Sequence, residues 1–135
     1  MTKQPFPFGP DYGFGLYAHW PYCARICPYC DFNVYTAKTR DTGDLFAAML
    51  HDLTAQAATL PDHPPLTSIF LGGGTPSLMQ PRQIEHLIKA CDEAFGLSNA
   101  CEITLEANPN NVTAASAREW HKAGINRLSL SLIHI

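Results

Sequence analysis

The segment at residues 17–33, YAHWPYCARICPYCDFN, constrains this chain more than any other, because it sets Cys23, Cys27 and Cys30 in a Cys-x3-Cys-x2-Cys run. One short loop thereby supplies three thiolates, enough to hold three corners of an iron–sulfur cube while the fourth iron has no protein ligand. An iron left open in this way is a reaction site. A structural zinc site normally closes its tetrahedron with four Cys or His ligands, commonly as two pairs from separate loops. Here the trio has no second pair, although His19 and Asp31 lie close enough in sequence to supply a fourth ligand. A zinc-binding structural module therefore stays open as an alternative. Disulfide pairing fits less well. The chain opens at MTKQ without the charged and apolar regions of a secretory signal, and its five cysteines are an odd number. The expected setting is the reducing cytoplasm.

A second motif follows. The strand-like run TSIFL at residues 67–71 leads directly into Gly72, Gly73, Gly74, Thr75, Pro76 and Ser77. Three glycines permit positive φ and let main-chain groups approach a ligand unobstructed. The turn lacks both the Gly-Lys-Ser/Thr of a nucleoside-triphosphate loop and the GxGxxG spacing of a dinucleotide fingerprint. Taken alone, it reads equally well as a plain strand-to-helix turn. Downstream, the strand-like CEITLEA at residues 101–107 brings Glu106 to a strand end, where open α/β sheets and barrels place their ligands. An ionised carboxylate accepts two hydroxyl donors, but without the other motifs Glu106 reads as an ordinary strand-end acid.

Taken in order, YAHWPYC, CPYCDFN, GGGTPS and EITLEANP resemble the radical S-adenosylmethionine (radical SAM) proteins, in their coproporphyrinogen dehydrogenase-like branch and, within it, the HemW-type heme chaperones. The similarity runs from Gly13 to Leu128 and corresponds to the N-terminal part of a family member. It implies that Cys23, Cys27 and Cys30 bind a [4Fe-4S] cluster whose open iron is chelated by the amine and carboxylate of S-adenosylmethionine. One electron from the cluster then splits the sulfonium into methionine and a 5′-deoxyadenosyl radical. By the same resemblance Tyr17 and Tyr29 pack around the cluster and cofactor, Gly73, Gly74 and Thr75 meet the methionyl group, and Glu106 binds the ribose hydroxyls. The family's porphyrinogen-oxidising members resemble Cys-x3-Cys-x2-Cys-x-Cys, whereas the last position here is Phe32. That departure matches the chaperone pattern, in which heme is cargo passed to heme-acceptor proteins and an electron donor serves the cluster. Oxygen-independent coproporphyrinogen III oxidation is the alternative.

Composition agrees with an α/β protein. Hydrophobic residues make up 46% of the chain and the net charge is −3, so no basic surface argues for nucleic acid. No apolar run is long enough to cross a bilayer, which leaves membrane contact to a partner. A leader at residues 1–14 reads as flexible. Strands are expected at about 15–20, 67–71, 101–106 and from Arg127, with helices at 44–60, 81–95 and 113–122. This βα alternation predicts parallel strands with outer helices, the N-terminal part of a radical SAM partial (β/α) barrel spanning residues 15–129.

Several residues take plainer readings. Cys91 and Cys101 are expected as small core residues, and His51, His86, His121 and His63 as exposed. Arg25 reads either as a counter-charge to the cluster or as a solvated loop residue. Asn108 is expected to shape the turn after Glu106. Where family members continue from a segment like RLSLG into further βα units, this chain reads RLSLSLIHI. Residues 130–135 match what a common sequencing transposon end encodes in one frame, so a non-native tail on a truncated core is expected. The same ending in an intact gene with a natural stop codon would refute this.

Overall fold

The computed structural model describes residues 12–37, 42–60 and 62–131. Four parallel strands form its centre: β1 (Gly15–Trp20), β4 (Leu66–Gly73), β5 (Leu97–Ala107) and β6 (Arg127–Leu130), hydrogen-bonded in that order. A small parallel pair, β2 (Tyr22–Cys23) and β3 (Tyr35–Thr36), flanks the loop that carries the other two clustered cysteines. Three helices connect the main strands: α1 (Thr42–Thr59), α2 (Pro81–Phe95) and α3 (Ala114–Lys122). Strands adjacent in the sheet are also consecutive along the chain, apart from the small pair. Each helix is therefore a crossover of the same hand and packs on the same face.

Strand alternation decides which side is core. Ala18, Ile69, Leu71, Ile103 and Leu105 turn toward the helices and are buried with Phe46 and Leu53 of α1, Ile84, Leu87 and Cys91 of α2, and Trp120 of α3. The opposite face carries Tyr17, Phe70, Thr104 and Glu106, as the period of two requires. Helices thus cover one face of the sheet, and the other presents a mixture of aromatic and polar side chains, with Tyr17 stacked on Phe70.

The helix ends have local causes. Pro81 at the first turn of α2 lacks an N–H that the helix does not need, and Gln80 and Gln83 satisfy each other's backbone donors as a capping box. Gly96, at φ 73°, stops the helix where a side chain would be strained. In α3, Thr113 and Ser116 form the same reciprocal cap.

Several boundaries depart from expectation. β5 begins at Leu97 rather than near residue 101, because Leu97 pairs with Leu66 across an irregularity in the β4–β5 ladder. His63 is half-buried rather than exposed: its ring stacks on Phe14 at 5.2 Å and meets Phe95 edge-on at 5.0 Å. Phe14 also accepts the Thr67 N–H at 2.8 Å, so the chain is anchored just ahead of β1. Residues 1–11 of the expected leader and 132–135 of the expected tail lie outside the described residues. Leu130 closes β6, and the Ser131 N–H donates to the Ala107 carbonyl.

Candidate functional site

All four main strands point the same way, so their C-terminal ends form one rim. The loop from β2 to β3 rises above that rim and is held at its neck. Tyr35 donates its N–H to the Pro21 carbonyl at 2.8 Å, and Ala37 donates to Cys23 at 3.0 Å. Within the loop, Cys30 donates to the Cys27 carbonyl at 3.0 Å, a turn that puts the last two cysteines side by side in the chain. Cys23 is buried at the neck, and Cys27 and Cys30 are half-buried; all three are free thiols.

The glycine turn packs directly under this neck. Gly74 donates its N–H to the Trp20 carbonyl, and Thr75 donates to Tyr22, the residue before Cys23. A Cβ at Gly74 would stand 2.7 Å from the Tyr22 carbonyl oxygen, so a side chain there would push the turn off the loop. Gly73 adopts φ 110°, and its N–H donates to Glu106 Oε2 at 3.1 Å. The amides from Gly73 to Thr75 are thus all engaged. What the turn offers a ligand is carbonyl oxygen, which suits a donor such as an ammonium group.

One cavity of about 390 Å³ gathers these parts. Its walls include Cys23, Cys27, Cys30 and Tyr29 from the loop, Gly73, Gly74 and Thr75 from the turn, and Glu106 from β5. Eight of the nine residues singled out in the sequence therefore share one concave site. The ninth, Tyr17, lies behind it on β1, its ring 2.9 Å from where a Cβ on Gly72 would be. Burial, and then the charge of Glu106, push the Tyr17 phenol above its ordinary pKa. The Tyr29 phenol is raised by local desolvation first, then by a hydrogen bond with Cys27 and by its electrostatic interaction with the Cys27 and Cys30 side chains. Both tyrosines thus stay neutral donors beside acidic neighbours.

The thiols suit an iron–sulfur cluster in number and kind, since three soft donors from one loop open on one cavity. Among the described residues, no group of three or more His, Cys, Asp or Glu side chains is close enough together to hold a metal ion. The three cysteines share a wall rather than a closed cage. A loop whose ligands converge on loading behaves in this way, because metal binding and local folding are coupled.

On sequence His19 and Asp31 were possible fourth ligands and Phe32 was singled out, but the contacts of His19 and the place of Ser129 were not foreseen. His19 Nδ1 lies 3.0 Å from the Tyr17 hydroxyl, its Nε2 lies 3.4 Å from the Asn33 carbonyl, and its ring covers Gly73. It ties the strand, the cluster loop and the turn together. The Tyr17-x-His19 alternation was the available signal, since it puts both rings on one face. Ser129, at the level of Glu106 in the β5–β6 ladder, also faces the cavity, as do Asp31 and Phe32. Asn108 accepts the Asn110 N–H at 3.1 Å, the turn-shaping role expected of it. Arg25 reaches the cavity wall. Cys91 and Cys101 are buried in the core, away from the site, and burial, with the nearby Cys101, pushes the Cys91 thiol up to about 12.

Comparison with known proteins agrees with this geometry. Residues 17–135 match the family model of the radical SAM superfamily. The chain belongs to that superfamily. It is 40% identical over 121 residues to the heme chaperone HemW of Haemophilus influenzae, covering 87% of this chain and 32% of that protein. It is 38% identical over 117 residues to the mitochondrial radical S-adenosyl methionine domain-containing protein 1 of Danio rerio, covering 87% and 26% respectively. The solved structure of coproporphyrinogen III oxidase (HemN) from Escherichia coli, described as a radical SAM enzyme, superposes with a TM-score of 0.77 at 27% identity. That match covers 90% of this chain and 28% of the other. The chain thus spans roughly a third or less of the relatives it matches, and its parallel sheet with outer helices is the radical SAM fold.

Proposed function

We propose that this chain is the cluster- and cofactor-binding part of a radical SAM protein that acts as a heme chaperone. The observation that carries the reading is the shared cavity. Three cysteines, a glycine turn and a strand-end carboxylate, drawn from three separate segments, converge on one site at the C-terminal rim of a parallel sheet. In this reading Cys23, Cys27 and Cys30 hold a [4Fe-4S] cluster. The carbonyl-rich turn of Gly73, Gly74 and Thr75 orients the methionyl amine of S-adenosylmethionine, Glu106 accepts its ribose hydroxyls, and Tyr17 and Tyr29 pack beside them. Once bound, the cluster and S-adenosylmethionine supply reductive cleavage of a sulfonium bond.

The chain's own contribution is positioning and exclusion. Holding the sulfonium beside its electron source removes the need for a separate encounter, and the loop wall limits water. The chaperone reading is supported by Phe32, which stands where the oxidising branch carries a fourth cysteine, and by the resemblance to proteins named heme chaperone. Heme is then cargo, and the partners are heme-acceptor proteins and an electron donor. Cytoplasmic work fits thiols that must stay reduced. Among the described residues no helix is long and apolar enough to cross a membrane, so we assign any membrane contact to a partner. The structural likeness to coproporphyrinogen III oxidase favours one second reading, porphyrinogen oxidation in porphyrin biosynthesis.

Anaerobic reconstitution of the intact protein with iron and sulfide, followed by low-temperature EPR with and without S-adenosylmethionine, tests the shared part. A reduced [4Fe-4S] signal that shifts on adding S-adenosylmethionine is expected. A colourless protein holding stoichiometric zinc sinks the proposal. Heme titration followed by transfer to an apo-acceptor, run beside a coproporphyrinogen III turnover assay, separates the two functional readings.

A further inference from the structure

We propose that Glu106 is a positioning residue for the glycine turn, so that one carboxylate couples the two ends of the pocket. The inference rests on the reading of the site given above. Its basis is the hydrogen bond from the Gly73 N–H to Glu106 Oε2 at 3.1 Å, which crosses from the end of β4 to the end of β5. Gly73 stands at φ 110°, in the region that favours glycine. Without a Cβ its φ and ψ are less restricted than those of other residues, so contacts from outside must hold its conformation. Two neighbours do this. The His19 ring lies 2.7 Å from where a Gly73 Cβ would be, closing one side, and the Glu106 carboxylate holds the amide.

The carboxylate is itself wedged in place. A Cβ at Gly72 would lie 3.1 Å from Glu106 Oε2 and 2.9 Å from the Tyr17 ring. The glycine at 72 is thus what lets the carboxylate reach the turn. A carboxylate has about four lone-pair sites, so holding one amide leaves Oε1 able to accept ligand hydroxyls. Withdrawing the carboxylate would release the Gly72–Gly73 peptide, whose plane carries the Gly72 carbonyl, and let that carbonyl turn away from a ligand's ammonium group, while Gly74 and Thr75 stay tied to Trp20 and Tyr22. Loss of Glu106 therefore damages recognition at an end of the ligand that it does not touch.

Two fragments of the cofactor separate this role from simple ribose binding. L-methionine carries the amine and carboxylate without a ribose, and 5′-deoxyadenosine carries the ribose without an amino acid. Their affinities are measured by calorimetry on the intact, anaerobically reconstituted protein, with cluster content and circular dichroism as checks on folding. In Glu106→Ala both are expected to weaken, methionine by roughly tenfold, the scale of a hydrogen bond to a charged group. Glu106→Gln keeps a side-chain carbonyl for the Gly73 amide, so methionine affinity is expected to return to within about threefold of wild type. In that variant 5′-deoxyadenosine should stay weak.

Methionine binding unchanged in Glu106→Ala overturns the inference, as does equal loss in the Ala and Gln variants. If the Ala variant does not fold, the wild-type Gly73 amide resonance decides in the cluster-free protein. It should shift as 5′-deoxyadenosine saturates the site; an unmoved resonance counts against the coupling. A wild-type protein that takes up no cluster and binds neither fragment overturns the reading of the site and this inference with it. Binding of both fragments, with methionine indifferent to residue 106, overturns the inference alone.

Discussion

The β4–α2–β5 unit and the cysteine loop sit side by side and are specified by different physics. In the first, Leu66, Ile69, Leu71, Ile84, Leu87 and Leu105 are all 2% exposed or less, and a parallel ladder joins the strands. In the second, Ile26, Tyr29 and Phe32 are 45%, 55% and 69% exposed, and two backbone hydrogen bonds span the interior, Cys30 to Cys27 and Val34 to Phe32. The scaffold is fixed by what it buries. The loop has its ends fixed by β2 and β3, is touched by His19 at Asn33, and borders the cavity with Cys27, Tyr29 and Cys30. In the proposed function the bound cluster completes the loop's conformation, because metal binding and local folding are coupled.

The sharpest way to break this contrast is to remove a thiol. Cys27→Ser is expected to abolish the EPR signal of the reconstituted cluster while leaving the far-ultraviolet circular dichroism of the sheet and helices unchanged. Loss of secondary structure would mean that the loop supports the scaffold. The converse change, Leu105→Ala, opens a cavity in the core and is expected to cost about 2–5 kcal/mol in urea unfolding. A cost under about 1 kcal/mol would mean that the sheet's buried face is not close-packed.

The same contrast explains what was legible in the chain. Pro81 and Gly96 bracket α2 where the sequence puts them, because a proline and a left-handed glycine act locally. The cysteine spacing and the glycine run were readable for the same reason: chemistry that needs three thiols or a bare backbone leaves a short-range mark. The early start of β5 was not readable, since Ser98, Asn99 and Ala100 carry no strand pattern and are recruited by the pairing of Leu97 with Leu66. His63 looked like a surface residue in a proline-rich linker until Phe14 and Phe95 came together from distant positions. The contact of Glu106 with Gly73, 33 residues away, was likewise invisible, because register between strands is not written in either strand alone.

Thiol chemistry sharpens the comparison further. Burial raises the Cys91 thiol to about 12, so folded protein keeps a proton that the unfolded chain gives up near about 8.5. Between those values the native state binds more protons, and stability falls as pH rises, by up to about 1.4 kcal/mol per pH unit. Cys101, also raised by burial, adds to the same trend. Stability measured from pH 8 to 10 is expected to decline, with a shallower slope in Cys91→Ala. In iodoacetamide labelling near neutral pH, Cys27 and Cys30 should react while Cys91 and Cys101 are spared. Equal labelling of all four would erase the distinction between core and loop.

The smallest expected effect is the most discriminating. Phe32 is a large apolar side chain that would stabilise the fold by a few kcal/mol if buried, yet it is 69% exposed at the mouth of the cavity. Phe32→Ser should therefore change global stability by no more than about 0.5 kcal/mol. Under the proposed heme-carrying function, a porphyrin is a flat apolar partner that this exposed ring would favour. The paired expectation is weaker heme binding in Phe32→Ser, read from the Soret band on titration, with cluster content unchanged. A variant destabilised by more than about 2 kcal/mol would show that the loop closes on the scaffold in solution, and the division between the two regions would have to be redrawn.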